Sequence, residues 1–101
     1  MKQYLLSVFL LLCGINLAAK ITVPSVFSDN MMFQQQKSIR IWGKADQGEK
    51  VTVSFCGQEK SIISKDSIWS LELEPLNHGG PFEMLIYGEE DTLRLKNILV
   101  G

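Results

Sequence analysis

The sequence predicts an all-β protein on three observations. Apolar residues recur at every second position, turn residues interrupt them at short intervals, and no helical stripe survives past the N-terminal segment. The chain has 101 residues, enough for one hydrophobic core, since a single core commonly serves about 100–200 residues.

The N-terminal segment has the layout of a secretory signal peptide. Lys2 supplies a short positive region, residues 5–13 form an almost unbroken apolar run, and Leu17-Ala18-Ala19 offers a cleavage site. The apolar run is shorter than the roughly 20 residues needed to cross a bilayer. We therefore expect a helical signal peptide over residues 1–19, a single β-domain over residues 20–101, and a secreted or periplasmic product with no membrane attachment. Cys13 loosely fits an acylated lipoprotein signal, but Leu12 is larger than the small residue such signals place before the cysteine.

Residues 27–36, with Met31, Met32 and Phe33 adjacent, read as a loop followed by a short strand. After them the alternation is regular. Ile39 and Ile41 alternate with Ser38 and Arg40, and Val51, Val53 and Phe55 with Thr52 and Ser54. Residues 59–64 make a further strand. Trp69, Leu71 and Leu73 alternate with Ser70, Glu72 and Glu74, and Phe82, Met84 and Ile86 with Glu83, Leu85 and Tyr87. Leu93 and Leu95 continue the pattern, and then Ile98 and Val100 take it up on the opposite parity, so a bulge near Asn97, or a strand crossing from one environment to another, is expected. Turns fall at Asp46-Gln47-Gly48, Cys56-Gly57, Lys65-Asp66-Ser67, Asn77-His78-Gly79-Gly80-Pro81 and residues 88–91. About seven short strands so spaced describe an antiparallel, immunoglobulin-like β-sandwich.

Charge and cysteine content narrow the function. The net charge of −1, with basic residues scattered singly, argues against a nucleic-acid partner. Removing the signal peptide leaves Cys56 as the remaining cysteine, too few for an internal disulfide or a cysteine zinc site. Cys56 is expected as a small buried hydrophobe at a strand end. There is no G-x-S-x-G nucleophile motif, and His78 lies in a glycine-rich turn. The acidic run Glu89-Glu90-Asp91 lacks the ligand spacing of a calcium loop and reads as a hairpin tip. No catalytic residue, metal or cofactor is expected. Trp69 shares its parity with Leu71 and Leu73 and belongs to the core. Trp42 stands on the opposite parity to Ile39 and Ile41, which makes it the candidate exposed ring for a sugar or a neighbouring domain. Asp29 and Asn30 are the other candidate contacts, although Ser28-Asp29-Asn30 is also ordinary turn chemistry.

Three ordered stretches together resemble the bacterial sialate O-acetylesterases. Pro24-Ser25-Val26-Phe27-Ser28-Asp29-Asn30-Met31-Met32-Phe33-Gln34-Gln35 is similar to that family's opening, P-S-V-F-S-D-N-M-V-L-Q. Residues 41–53, beginning Ile41-Trp42-Gly43-Lys44-Ala45, resemble its W-G-x-A-x-P-G-E-x-V-x-V segment. Gly79-Gly80-Pro81-Phe82-Glu83-Met84, followed by Leu95-Lys96-Asn97-Ile98-Leu99-Val100-Gly101, resembles G-G-P-Y-x-M and then L-x-N-V-L-V-G. Gln47 stands where the family usually has proline, and Cys56 where an Asn-Gly pair is common; both changes soften turns.

The resemblance implies an exported carbohydrate esterase that removes acetyl groups from sialic acids or related sugars. In that family the N-terminal β-domain precedes an SGNH-type hydrolase domain. Its nucleophilic serine lies in a C-S-G-Q-S-N-like motif a few residues beyond the L-V-G sequence, and its histidine and aspartate lie further on. No residue of this chain matches any of them. The expected role is thus an accessory N-terminal domain, a fragment whose partner is its missing hydrolase domain. Acetylated glycans are a further possible partner, and the alternative is a free-standing carbohydrate-binding or structural module.

Overall fold

The computed structural model describes residues 21–101. The expected signal peptide and Cys13 lie outside the described residues. The described chain is all-β: β1 (Met32–Phe33), β2 (Ile39–Lys44), β3 (Lys50–Phe55), β4 (Gln58–Ile63), β5 (Ile68–Leu73), β6 (Gly79–Tyr87) and β7 (Thr92–Val100). Five strands form one sheet in the order β1-β7-β6-β3-β4, and β2 pairs with β5 in a second. The arrangement is sandwich-like, with one correction to the expected antiparallel topology. β1 runs parallel to β7, Met32 beside Leu99 and Phe33 beside Val100.

Alternation sets the packing. In β2 the inward row is Ile39, Ile41 and Gly43; in β5 it is Trp69, Leu71 and Leu73. These rows meet Val51, Val53, Phe55, Met84, Ile86, Leu95, Ile98 and Val100 from the larger sheet in one core. Phe55 links two further rings, lying edge-on to Phe33 and to Phe82 with centroids 5.8 and 5.9 Å away. Trp69 fits because its cross-strand partner is Gly43. A Cβ there would overlap the Thr22 carbonyl and come within 3.0 Å of the indole. The indole N–H donates to the Lys44 carbonyl at 3.2 Å, satisfying the one polar atom of the ring.

β4 and β5 are tied at both ends, so the sheets curl into a half-barrel. At one end Lys65 and Ile68 form a bridge. At the other, the Gln58 amide substitutes for backbone: Gln58 Nε2 donates to Glu74 O at 3.0 Å, and Glu74 N–H donates to Gln58 Oε1 at 2.8 Å. This side-chain pairing covers an edge that would otherwise present free donors and acceptors.

The expected bulge at Asn97 is present. Met84 pairs with Leu95 and Phe82 with Ile98, leaving Glu83 opposite both Lys96 and Asn97. Asn97 takes a left-handed backbone with φ 60°, which moves the inward row from Leu95 to Ile98. A second irregularity corrects the turn expected over residues 77–81. Gly79 already pairs with Val100, so Gly80 and Pro81 sit within β6 as a bulge against Leu99. The φ of 122° at Gly80 explains the glycine, since a Cβ would strike the Ile98 carbonyl at 2.8 Å.

Cys56 is also corrected. It is exposed, not buried, at the first central position of the β3–β4 turn. Cys56 and Gly57 both have positive φ, 50° and 79°, as a two-residue type I′ hairpin requires.

Candidate functional site

The sequence candidates fall at two places. Trp42 projects from the outer face of β2 with 41% of its surface exposed. Its ring meets the buried Phe27 edge-on, centroids 4.7 Å apart and planes at 80°. Beside it, Thr22, Val23, Pro24, Gly43, Lys44 and Ile68 line an open groove of about 430 Å³. The groove forms because Thr22 exchanges backbone hydrogen bonds with Lys44, which lays the 22–24 segment along the β2 edge. Pro24 brings no N–H to that edge. The result is an open, largely apolar trough lined by Trp42 together with the 22–24 segment, Gly43, Lys44 and Ile68.

Asp29 and Asn30 lie instead at the β7 bulge, and their polar atoms are engaged there. Asp29 Oδ1 accepts from the Lys96 N–H at 2.7 Å, and the Asn30 N–H donates to the Lys96 carbonyl at 3.0 Å. Asn97 Nδ2 donates to Asn30 Oδ1 at 2.6 Å. Asn30 and Asn97 both hold positive φ, which asparagine tolerates better than most residues. The structure thus brings Asp29 and Asn30 together as a clasp on the bulge. Trp42 stands on the other sheet, connected to that loop through Phe27.

Sequence reading missed an apolar patch at the β1–β7 edge. Met32 is 64% exposed, its strand neighbour Leu99 40%, and Val26, which lines the same groove as Met32, 62%. The signal was the Met31-Met32-Phe33 run: on a strand buried on one face, adjacent side chains cannot all face the core. Phe33 points inward and Met32 is left in solvent.

The other polar features assemble no reaction centre among the described residues. His78 is exposed in the segment between β5 and β6. Partial desolvation pushes the Cys56 thiol above its ordinary value, which disfavours the thiolate. Asp46, Glu49, Glu89, Glu90 and Asp91 line an open cup of about 410 Å³, and no group of described residues is arranged to hold a metal ion. What the described surface offers is contact area: an aromatic trough and an apolar edge.

No family model matches the chain. Sialate O-acetylesterases of Rattus norvegicus and Mus musculus are each 31% identical to it over 88 residues, covering 74% of this chain and 16% of the relative. Among solved structures, a carbohydrate acetylesterase from Xanthomonas citri has the same fold, with a TM-score of 0.78 over 80% of this chain and 19% of that one, at 24% identity. The chain therefore spans about a sixth of the length of the relatives it matches.

Proposed function

Because this chain is related to the sialate O-acetylesterases at the level of one domain, we propose that it is the N-terminal accessory domain of an exported carbohydrate esterase. The enzyme would hydrolyse O-acetyl esters on sialic acids or related sugars, and would act in the periplasm or outside the cell. The observation that carries this reading is the ordered match over 74% of the chain to a small part of a much longer esterase. The two-sheet architecture is read as an immunoglobulin-like sandwich whose work is to support a hydrolase domain. The exposed Val26, Met32 and Leu99 side chains suit such a partner, since apolar surface of this kind is stabilised when a second domain covers it.

Hydrolysis of p-nitrophenyl acetate tests the reading. Residues 20–101 alone should give no turnover above buffer. Activity that persists through repurification would refute an accessory role. A second reading, a carbohydrate-binding module, is favoured by the Trp42 trough. Titration with sialic acids and mucin glycans separates the two. A saturable change in tryptophan fluorescence that is lost in Trp42→Ala would favour the binding module, and a flat response the accessory domain.

A further inference from the structure

On the outer face of the five-stranded sheet, two observations fix the posture of Tyr87. Its hydroxyl donates to Glu59 Oε1 at 2.6 Å, although Tyr87 stands on β6 and Glu59 on β4, with β3 between them. Two strand spacings separate those strands, roughly 9–10 Å, and a side chain standing upright on the sheet does not cross them. The phenol therefore reclines over β3. Thr52 records the consequence. It lies on the outer face of β3 directly opposite Tyr87, yet only 6% of its surface is exposed. Its hydroxyl is shared with Ser61 at 2.8 Å, so the covered polar atom is satisfied. One face of the ring covers Thr52, and the half-buried Tyr87 keeps the other toward solvent.

An open groove of about 270 Å³ adjoins the ring, lined by Lys50, Glu59, Ser61 and Glu89 as well as Thr52 and Tyr87. The first four are exposed, and the ion pairs among the described residues do not involve them. The groove so combines a flat aromatic surface, pinned at its hydroxyl end, with donors and acceptors around it. A ligand that satisfies both parts needs an apolar face and hydroxyls along its edge. A pyranose ring has this form, with axial C–H bonds on one side and equatorial hydroxyls that each donate and accept. A hydrocarbon or a flat aromatic would desolvate the polar rim and offer it no partner. The rim carries one cation and two carboxylates, a balance that disfavours an anionic sugar. Its volume is below the roughly 300–1,000 Å³ of pockets that enclose drug-sized ligands, so it suits a single ring.

We propose that this face is a binding site for one neutral pyranoside, stacked on Tyr87 and hydrogen-bonded by Lys50, Glu59, Ser61 and Glu89. The site does not depend on the accessory role, and it is separate from the Trp42 trough, which lies on the other sheet. The bond to Glu59 acts as the positioning element. It orders the ring in advance, so that binding immobilises little beyond the sugar itself.

Amide shifts of the protein, followed by NMR during titration with methyl β-galactoside, test the proposal. Thr52, Ser61 and Tyr87 should shift saturably at millimolar concentrations, and residues 40–44 of the Trp42 strand should not. Mannitol has the hydroxyls without a rigid ring face, and should give shifts several-fold smaller. N-acetylneuraminate should bind several-fold more weakly, since its carboxylate meets two others. Tyr87→Ala should abolish the response. Tyr87→Phe keeps the ring and loses the bond to Glu59, so affinity should fall by about 3–10-fold, the factor one hydrogen bond represents. That variant decides the matter should the alanine variant unfold. No saturable shift in the wild type, shifts confined to residues 40–44, or mannitol equal to the glycoside would overturn the proposal. Full affinity in either Tyr87 variant would overturn it too, as would N-acetylneuraminate binding as tightly as the neutral glycoside.

Discussion

Trp69 and Trp42 stand on neighbouring strands of the same two-stranded sheet. Gly43 pairs with Trp69 and Trp42 with Ser70, so the two indoles are one register step apart on opposite faces. Trp69 lies against the core at 1% exposure with its N–H bonded to a carbonyl, while Trp42 keeps 41% of its surface in solvent and touches Phe27 by an edge. Residue type is the same in both, and so is the secondary structure. Parity alone separates a structural residue from a candidate recognition surface.

Truncation measures that difference. Trp69→Ala should cost about 3–5 kcal/mol through lost burial and the cavity left behind. A domain of this size holds only about 4–12 kcal/mol in all. Urea unfolding followed by circular dichroism should show the midpoint moved far toward buffer, by a large share of that total. Trp42→Ala should cost about 1 kcal/mol, the scale of one edge-to-face contact plus partial burial. Comparable losses in the two variants would break the assignment of inner and outer faces.

Gly43→Ala is the next largest effect, because it challenges both faces from the point between them. Its Cβ would overlap the Thr22 carbonyl and crowd the Trp69 indole. We expect a loss of about 1–3 kcal/mol, typical of overpacking. Faster hydrogen exchange at the Lys44 amide, which bonds Thr22, should accompany it. A wild-type midpoint with unchanged exchange would mean that the 22–24 segment moves aside freely, and that the trough beside Trp42 is not a fixed feature.

Much of this was legible in the sequence because period-two patterning carries both strand existence and facing. The inward rows of β2, β3, β5 and β6 follow directly from Ile39, Val51, Trp69 and Met84 and their alternating neighbours. The parity break located the bulge at Asn97. What alternation does not encode is pairing, so the parallel placement of β1 on β7 had no signal in a strand of two residues. Composition misled at Gly79-Gly80-Pro81, since the same residues serve a turn or a bulge, and the Val100 partner decides which. The Cys56 hairpin position was identified, but not its consequence: a positive φ at both turn residues turns that side chain outward. At the candidate site, Trp42 was readable from parity. The engagement of Asp29 and Asn30 with the bulge was not, because their partners at residues 96–97 are 67 positions away in the chain.

The bulge is where the inner row changes parity, and Asn97 sharpens the comparison at that point. Asn97→Ala loses the bond to Asn30 and places a residue with a Cβ and no compensating polar group at φ 60°. We expect a loss of about 1–2 kcal/mol. Asn97→Gly keeps the backbone permissive and should cost less, about 0.5–1 kcal/mol, for the side-chain bond alone. Equal losses in thermal unfolding would mean that the clasp, not the left-handed backbone, fixes the parity switch.

The smallest expected effect concerns the outer row of the larger sheet, where Tyr87 is the counterpart of Trp42. Its hydroxyl donates to Glu59 Oε1 at 2.6 Å, across the sheet from β6 to β4. That bond to a carboxylate is the leading cause holding the Tyr87 proton above the ordinary phenol value of 10.0. Residues 20–101 contain no other tyrosine, so absorbance at 295 nm reads this group alone. The midpoint should lie above 10.0 in the wild type and fall in Glu59→Gln, where the charge is gone. A folded-state value raised in this way adds stability below pH 10 that disappears as Tyr87 ionises, so alkaline unfolding should begin slightly earlier in the variant. An unchanged midpoint would show that the Tyr87–Glu59 contact does not couple β6 to β4.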